Sequence, residues 1–216
     1  MNAEYVAAME DVLDLYAEPA DPQRPKVCFD ESPQQLIAET RAPLPARPGQ
    51  PERYDTEYRR NGTRNLFMFF NHEDGWRHVA ITDRRTSLDF AQQMKWLVDE
   101  CYPAADRIRV VLDNLNTHKL AALYEAFPPA EARRIARKLE FHYTPKHGSW
   151  LNMAELELSV FDRQCWDRRI GDADKLQRET QALELERNTA HATVHWRFDC
   201  QNARSRMHRL YPSTSA

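Results

Sequence analysis

The sequence lacks the features that would place it in several large classes of protein. It has no long apolar run: its most hydrophobic stretches, such as Asn65 to Phe70, are far too short to cross a bilayer. The opening segment, Met1 to Glu10, has neither a basic nor an apolar leader, so no secretion signal is visible and a cytoplasmic protein without a membrane partner is expected. The four cysteines, Cys28, Cys101, Cys165 and Cys200, are scattered and form no CxxC pair, and in such a chain they are expected to be reduced and packed. His191, His195 and Cys200 do not amount to a zinc motif, because a second ligand pair at regular spacing is missing. No repeat or low-complexity tract is present. Nor does either sign of charge dominate: the net charge of −3 does not by itself mark a nucleic-acid binder.

What is present fits one sizeable globular domain of 216 residues, 42% hydrophobic and 29% charged, with room for only a small second unit. The charge is unevenly spread. Residues 1–31 carry eight acidic side chains against Arg24 and Lys26, a local charge of −6, which leaves +3 for the rest. Basic residues gather at Arg41 to Arg64, Arg133 to Lys146 and Arg197 to Arg209. Such clusters suit a phosphate backbone, and they equally suit a solvated face.

Local patterns outline the elements. Residues 1–22 predict a short amphipathic helix, with Tyr5, Met9, Val12, Leu13 and Tyr16 at helical spacing and a proline-containing linker after it. Lys26 to Phe29 reads as a short strand ending at Asp30, with residues 34–40 as its antiparallel neighbour. Five residues of Arg41 to Pro51 are Pro or Gly, which makes that stretch a loop. A buried strand at Asn65 to Phe70 turns through His72 to Gly75 and returns over Trp76 to Thr82. A helix capped by Thr86 or Ser87 runs to Val98, and a strand from Arg107 to Leu112 stops at Asp113. Further on come a helix from about His118 to Ala126, a strand from Lys138 to Tyr143, and helices over Ser149 to about Trp166 and Asp172 to about Thr189. The tail beyond Gln201 reads as peripheral. A hairpin-rich edge followed by crossover helices predicts a mixed α/β sheet covered by helices.

Two strands thus end on aspartate, in Cys28-Phe29-Asp30-Glu31 and Val110-Val111-Leu112-Asp113-Asn114. Side chains at strand ends of an open α/β sheet face the crevice where ligands usually sit. Two carboxylates there, with a third from a helix, form the hard oxygen donor set that Mg²⁺ prefers and that phosphoryl-transfer chemistry uses. Each aspartate alone is also ordinary turn or cap chemistry, and spacing does not separate the two readings. Periodicity supplies the third carboxylate. On the helix after Ser149, Leu151, Ala154, Leu158 and Cys165 form a stripe, with Glu155 about 60° from its centre and Glu157 about 100° away on the other side. Glu155 is placed to reach into a cleft, Glu157 faces solvent, and Asp162 stays a rival for the third position.

The blocks Val27 to Ser32, Val111-Leu-Asp113-Asn114-Leu-Asn116-Thr-His118, and Tyr143-Thr-Pro145-Lys-His-Gly-Ser149-Trp150-Leu151-Asn152-Met-Ala-Glu155 occur in this order. Together, over about residues 25–195, they resemble the DDE endonuclease domain of bacterial insertion-sequence transposases related to the mariner superfamily. The resemblance implies a ribonuclease H-like α/β fold, a mixed five-stranded sheet flanked by helices. It implies two Mg²⁺ or Mn²⁺ ions held by Asp30, Asp113 and Glu155 as the catalytic carboxylates, and cleavage and joining of DNA strands with no protein nucleophile. Its implied partners are DNA, as transposon ends and target, and a second copy of the chain as a homodimer. Asn114, Asn116, His118, Lys146, His147 and Asn152 fall where they would support the carboxylates or contact DNA. Trp150 is open to stacking on a base or to packing in the core.

The match also has departures. About 24 residues precede the first strand, too few for the helix-turn-helix readers that such relatives carry, so the reader is expected to be missing, a separately encoded helix-turn-helix subunit, or one joined by frameshifting. The division expected is residues 1–24 as a helix and linker remnant, 25–200 as the catalytic domain and 201–216 as a tail. The 41 residues between Asp113 and Glu155 exceed the family's usual interval, and Pro128 to Arg137 is the expected insertion. Two alternatives stay open: a nuclease of the same fold that moves no element, and a truncated, non-catalytic partner that binds DNA or inhibits a full-length transposase.

Overall fold

In the run Leu66-Phe67-Met68-Phe69-Phe70 every side chain is fully buried, and alternate residues enter two different cores. A strand with that pattern must be covered on both faces. The computed structural model, which describes residues 3–212, accordingly has a five-stranded sheet between two layers of helices. The strands are β1 (Lys26–Glu39), β2 (Tyr58–Asn71), β3 (Trp76–Thr82), β4 (Ile108–Leu112) and β5 (Leu139–Tyr143), in the order β3-β2-β1-β4-β5. β1, β2 and β3 pair antiparallel, whereas β1 with β4 and β4 with β5 are parallel. This is the mixed, helix-flanked α/β sheet that the element order predicts.

The larger core lies under α1 (Ala3–Ala17), α5 (Met153–Phe161) and α6 (Ala173–Thr189), and it takes in Met9, Leu13, Cys28, Met68, Phe161 and Leu176. The other face carries α2 (Ser87–Trp96), α3 (Ala121–Ala126) and α4 (Pro129–Lys138) over Val27, Phe29, Phe67, Phe69 and Val110. Local chemistry sets the helix starts. The Thr86 side chain accepts from Asp89 N–H while the Asp89 side chain accepts from the Thr86 backbone, a complete capping box. Asn152 and Asp172 cap α5 and α6, and Pro129 opens α4, where a missing N–H costs no helical bond. Among the described residues no helix is long and apolar enough to cross a membrane.

Four expectations need correction. Residues 34–39 are not a neighbour of a short first strand; they continue β1, which pairs with β2 from Cys28 to Glu39 with a register shift between Gln35 and Ile37. Beyond Cys28, β1 has a paired strand on one side only, an edge setting that tolerates Pro33. The helix expected from His118 begins only at Ala121, which leaves residues 113–120 as loop and turn. The helix expected over 149–166 is three pieces: a 3₁₀ turn at Ser149–Leu151, an extended Asn152 (φ −86°, ψ 107°), then α5 running into a π-helical turn at Asp162–Trp166. Finally, the segment beyond Gln201 is not peripheral throughout. In α7 (Cys200–Arg206), Ala203 is fully buried against the core, and Arg204 donates to both carboxylate oxygens of Glu10 on α1, at 2.8 and 3.0 Å. The last residues of that tail, 213–216, lie outside the described residues.

Candidate active site

Parallel pairing of β1 with β4 sets the register at Lys26–Arg109, Val27–Val110 and Cys28–Val111. Two residues further along each strand stand Asp30 and Asp113, side by side at the finishing end of the pair. Side chains alternate along a strand, so Asp30 shares the face of Cys28, on which α1 and α5 pack, whereas Asp113, the first residue past β4, turns its carboxylate toward His118.

Asn152 brings the third carboxylate to the same place. Its Nδ2 donates to Phe29 O at 2.8 Å and to Asp30 Oδ2 at 3.2 Å, while its Oδ1 accepts Ala154 N–H as the cap of α5. One buried amide therefore locks the start of α5 onto β1 just past its pairing with β4, and Glu155 sits in the first turn of that helix. From the other side, Tyr16 OH of α1 donates to Leu151 O at 2.8 Å and holds the preceding turn. Gly148 lets the chain enter that turn: a Cβ there would lie 2.5 Å from Pro145 Cγ.

The electrostatics register the crowding. Burial pushes the Asp30 carboxyl up to about 7; the hydrogen bond from Glu31 N–H pulls the other way, and the charges of Glu155 and Asp113 raise it further. Asp113 has a different partner. Its Oδ1 meets Nδ1 of the fully buried His118 at 2.5 Å, and His118 Nε2 faces Glu31 Oε2 at 3.3 Å. Burial opposes a charged imidazole there, but the bonds to Asp113 and Glu31 outweigh it and lift His118 to about 9.

The remaining predicted residues divide in two. Asn114, Asn116, Lys146 and His147 are exposed. The first pair follows β4 directly, and Thr144 N–H donates to Leu112 O, which puts Lys146 and His147 at the same end of the sheet as Asp113. Trp150, by contrast, is half-buried: it stacks on Trp196 with centroids 6.3 Å apart and donates to Tyr5 OH, a packing role. Asp162, the rival to Glu155, is exposed on the π-helical turn. Glu157 is a correction: only 1% exposed, it pairs with Arg77 Nε at 2.8 Å and accepts two bonds from Arg187, at 2.6 and 3.0 Å. Periodicity cannot distinguish a solvated carboxylate from one buried between arginines that come from β3 and α6. Sequence reasoning also missed Glu31, whose signal was strand alternation: next to Asp30, it must point to the opposite face.

The donor set suits a hard divalent cation, with three carboxylates from adjacent strands and one helix turn. Among the described residues, however, no three His, Cys, Asp or Glu side chains are gathered tightly enough to hold one ion together. Like charges hold such groups apart, and Asp113 is turned toward His118. A cleft of about 560 Å³, lined by Asp74, Trp76, Glu100, Tyr102 and His191 among others, opens at the opposite end of the sheet.

Comparison with known proteins agrees with this architecture. The family model described as DDE superfamily endonuclease matches residues 25–177. No curated protein matches the chain. Among solved structures, the Mos1 mariner paired end complex with Mn is similar over 88% of this chain and 59% of that one, with a TM-score of 0.59 at 14% identity. The Mos1 Strand Transfer Complex matches over 89% and 62%, with a TM-score of 0.55 at 12% identity. The mariner Mos1 paired end complex with Mg matches over 91% and 65%, with a TM-score of 0.50 at 14% identity. At these identities the likeness concerns the fold, and this chain spans about three fifths of the length of the chains it matches.

Proposed function

The chain belongs to the DDE superfamily endonucleases, and we propose that within that family it is the catalytic domain of a transposase, cutting and joining DNA strands with Asp30, Asp113 and Glu155 as its metal-holding carboxylates. The observation that carries the proposal is the β1–β4 register, which sets Asp30 beside Asp113 while Asn152 ties Asp30 to the helix that bears Glu155. Two divalent ions, Mg²⁺ or Mn²⁺, would supply charge neutralisation at the attacking and leaving oxygens when bound. The chain's own residues supply the rest. Asp30 and Glu155 are held in a fixed relation by one amide, and Asp113 is held by His118. Lys146, His147, Asn114 and Asn116, exposed at this end, would meet the phosphate oxygens of a DNA substrate. Two solved structures of the same fold are mariner Mos1 paired end complexes, one with Mn and one with Mg, which supports DNA and a divalent metal here too. A second copy of the chain and a separate helix-turn-helix reader complete the proposal.

The test is nicking of supercoiled plasmid by the purified chain with Mg²⁺ or Mn²⁺. Metal-dependent nicking that disappears in both Asp113→Ala and Glu155→Ala is expected. Nicking unchanged in both variants overturns the site, and a wild type that binds DNA yet never nicks it favours the non-catalytic partner.

A further inference from the structure

We infer that His118 and Glu31 are positioning residues for Asp113: His118 pins one oxygen of the Asp113 carboxylate from behind, and Glu31 pins His118. The inference rests on the reading of Asp113 as a metal-holding carboxylate.

Left alone, Asp113 would be poorly fixed. It is the first residue past β4, its side chain is 35% exposed, and the loop after it is exposed from Asn114 to Asn116. A carboxylate that turns freely loses rotamer entropy each time it ligates. His118 removes that freedom through Nδ1 on Oδ1, which leaves Oδ2 for another partner. The histidine itself cannot swing. It is fully buried, with its ring wedged between Phe29 (centroids 5.3 Å, 78°) and Phe90 (4.9 Å, 31°), and its carbonyl accepts from Tyr143 OH at 2.8 Å. Both ring nitrogens face carboxylates, which accept and do not donate, so both ring N–H groups are donors.

Glu31 completes the chain of contacts. Alternation along β1 sends it to the face opposite Asp30, and there its 5% exposed side chain meets His118 Nε2 and, at 3.4 Å, Arg85. It is therefore a brace beneath the site and not a fourth carboxylate within it. Supports of this kind fix the orientation and basicity of the groups that touch metal.

The experiment measures Mn²⁺ binding to the whole chain without DNA or turnover, by the resonance of free aqueous Mn²⁺, for wild type, Asp113→Ala, His118→Ala, His118→Asn and Glu31→Gln. Loss of such a support typically weakens metal affinity about 10- to 100-fold, and His118→Ala is expected in that range. His118→Asn, whose amide nitrogen can stand where Nδ1 stands, should recover most of the loss, and Glu31→Gln should fall between them. A merely structural role would not give this recovery, nor would it leave metal-free DNA binding unchanged, as is expected here. If His118→Ala fails to fold, Asn and Gln, which keep the side-chain bulk, carry the test. Mn²⁺ affinity within about twofold of wild type in both His118→Asn and Glu31→Gln, with Asp113→Ala deficient and His118→Ala unfolded or equally tight, overturns the inference alone. Wild-type affinity in Asp113→Ala overturns the metal reading beneath it.

Discussion

The two ends of the β1–β4 pair treat charge in opposite ways. Where the strands begin, Lys26 and Arg109 are buried and every donor is answered. Lys26 Nζ donates to Leu15 O and Glu18 O at the end of α1 and pairs with Glu73 at 2.8 Å, and Arg109 donates to Arg24 O and pairs with Glu18. Where the pairing finishes, Glu155 and Asp113 lie near enough for their charges to raise the Asp30 carboxyl, and among the described residues none of the three forms an ion pair with a lysine or arginine. Saturated charge at the first end holds the fold together. Clustered like charge at the second works against the fold, and such strain is tolerated where a site needs it. Within α5 the contrast recurs two residues apart: among the described residues Glu155 forms no ion pair, whereas Glu157 is enclosed by Arg77 and Arg187.

The widest separation between the two ends should appear in activity. Glu155→Gln is expected to abolish nicking, by about 10³-fold or roughly 4 kcal/mol of transition-state stabilisation, while leaving the denaturation midpoint nearly unchanged. Glu157→Gln should do the reverse in stability. It leaves two guanidinium groups, one of them fully buried, without their counter-charge, and a loss of about 3 kcal/mol in urea unfolding is expected. Equal stability of the two variants would dissolve the contrast.

How much of this was legible in the sequence follows the same division. Features set by local chemistry came through: the hairpin around Gly75, the Thr86 cap, the Asp172 cap and the strand ending at Asp113 all lie where their residues predict. So did the mixed sheet, whose five strands the family resemblance implied. Features decided by a distant partner did not. Whether residues 34–39 turn back or run on depends on β2, more than twenty residues away. Glu157 reads as solvated because Arg77 and Arg187, from two other elements, are invisible to periodicity. At the site, the order of the acidic residues was readable, but the β1–β4 register and the Asn152 bridge were not, since both arise from tertiary pairing.

A subtler way to sharpen the comparison uses pH, because each end carries a group displaced to between pH 4 and 7, Asp30 at one and His72 at the other, and these two displacements have opposite signs. At the finishing end, burial together with the Glu155 and Asp113 charges holds the Asp30 carboxyl up to about 7. The folded chain then binds that proton more tightly than the unfolded chain, so the metal-free fold loses stability as pH rises from the ordinary aspartate range through 7. At the beginning end, burial and the nearby Lys26 press His72 down to about 4, and its Nδ1 is buried without a hydrogen-bond partner. The folded chain there resists protonation, so stability is lost as pH falls from about 6.5 toward 4. In EDTA the two effects largely cancel in the wild type. Asp30→Asn should expose the His72 slope, with the fold weaker at pH 4.5 than at pH 7, and His72→Phe should expose the Asp30 slope, with the order reversed. Each difference is expected to be about 1–2 kcal/mol after allowance for solvent screening, measured as the shift in urea midpoint between the two pH values. Slopes of the same sign in both variants would mean that the two ends are not electrostatically opposed.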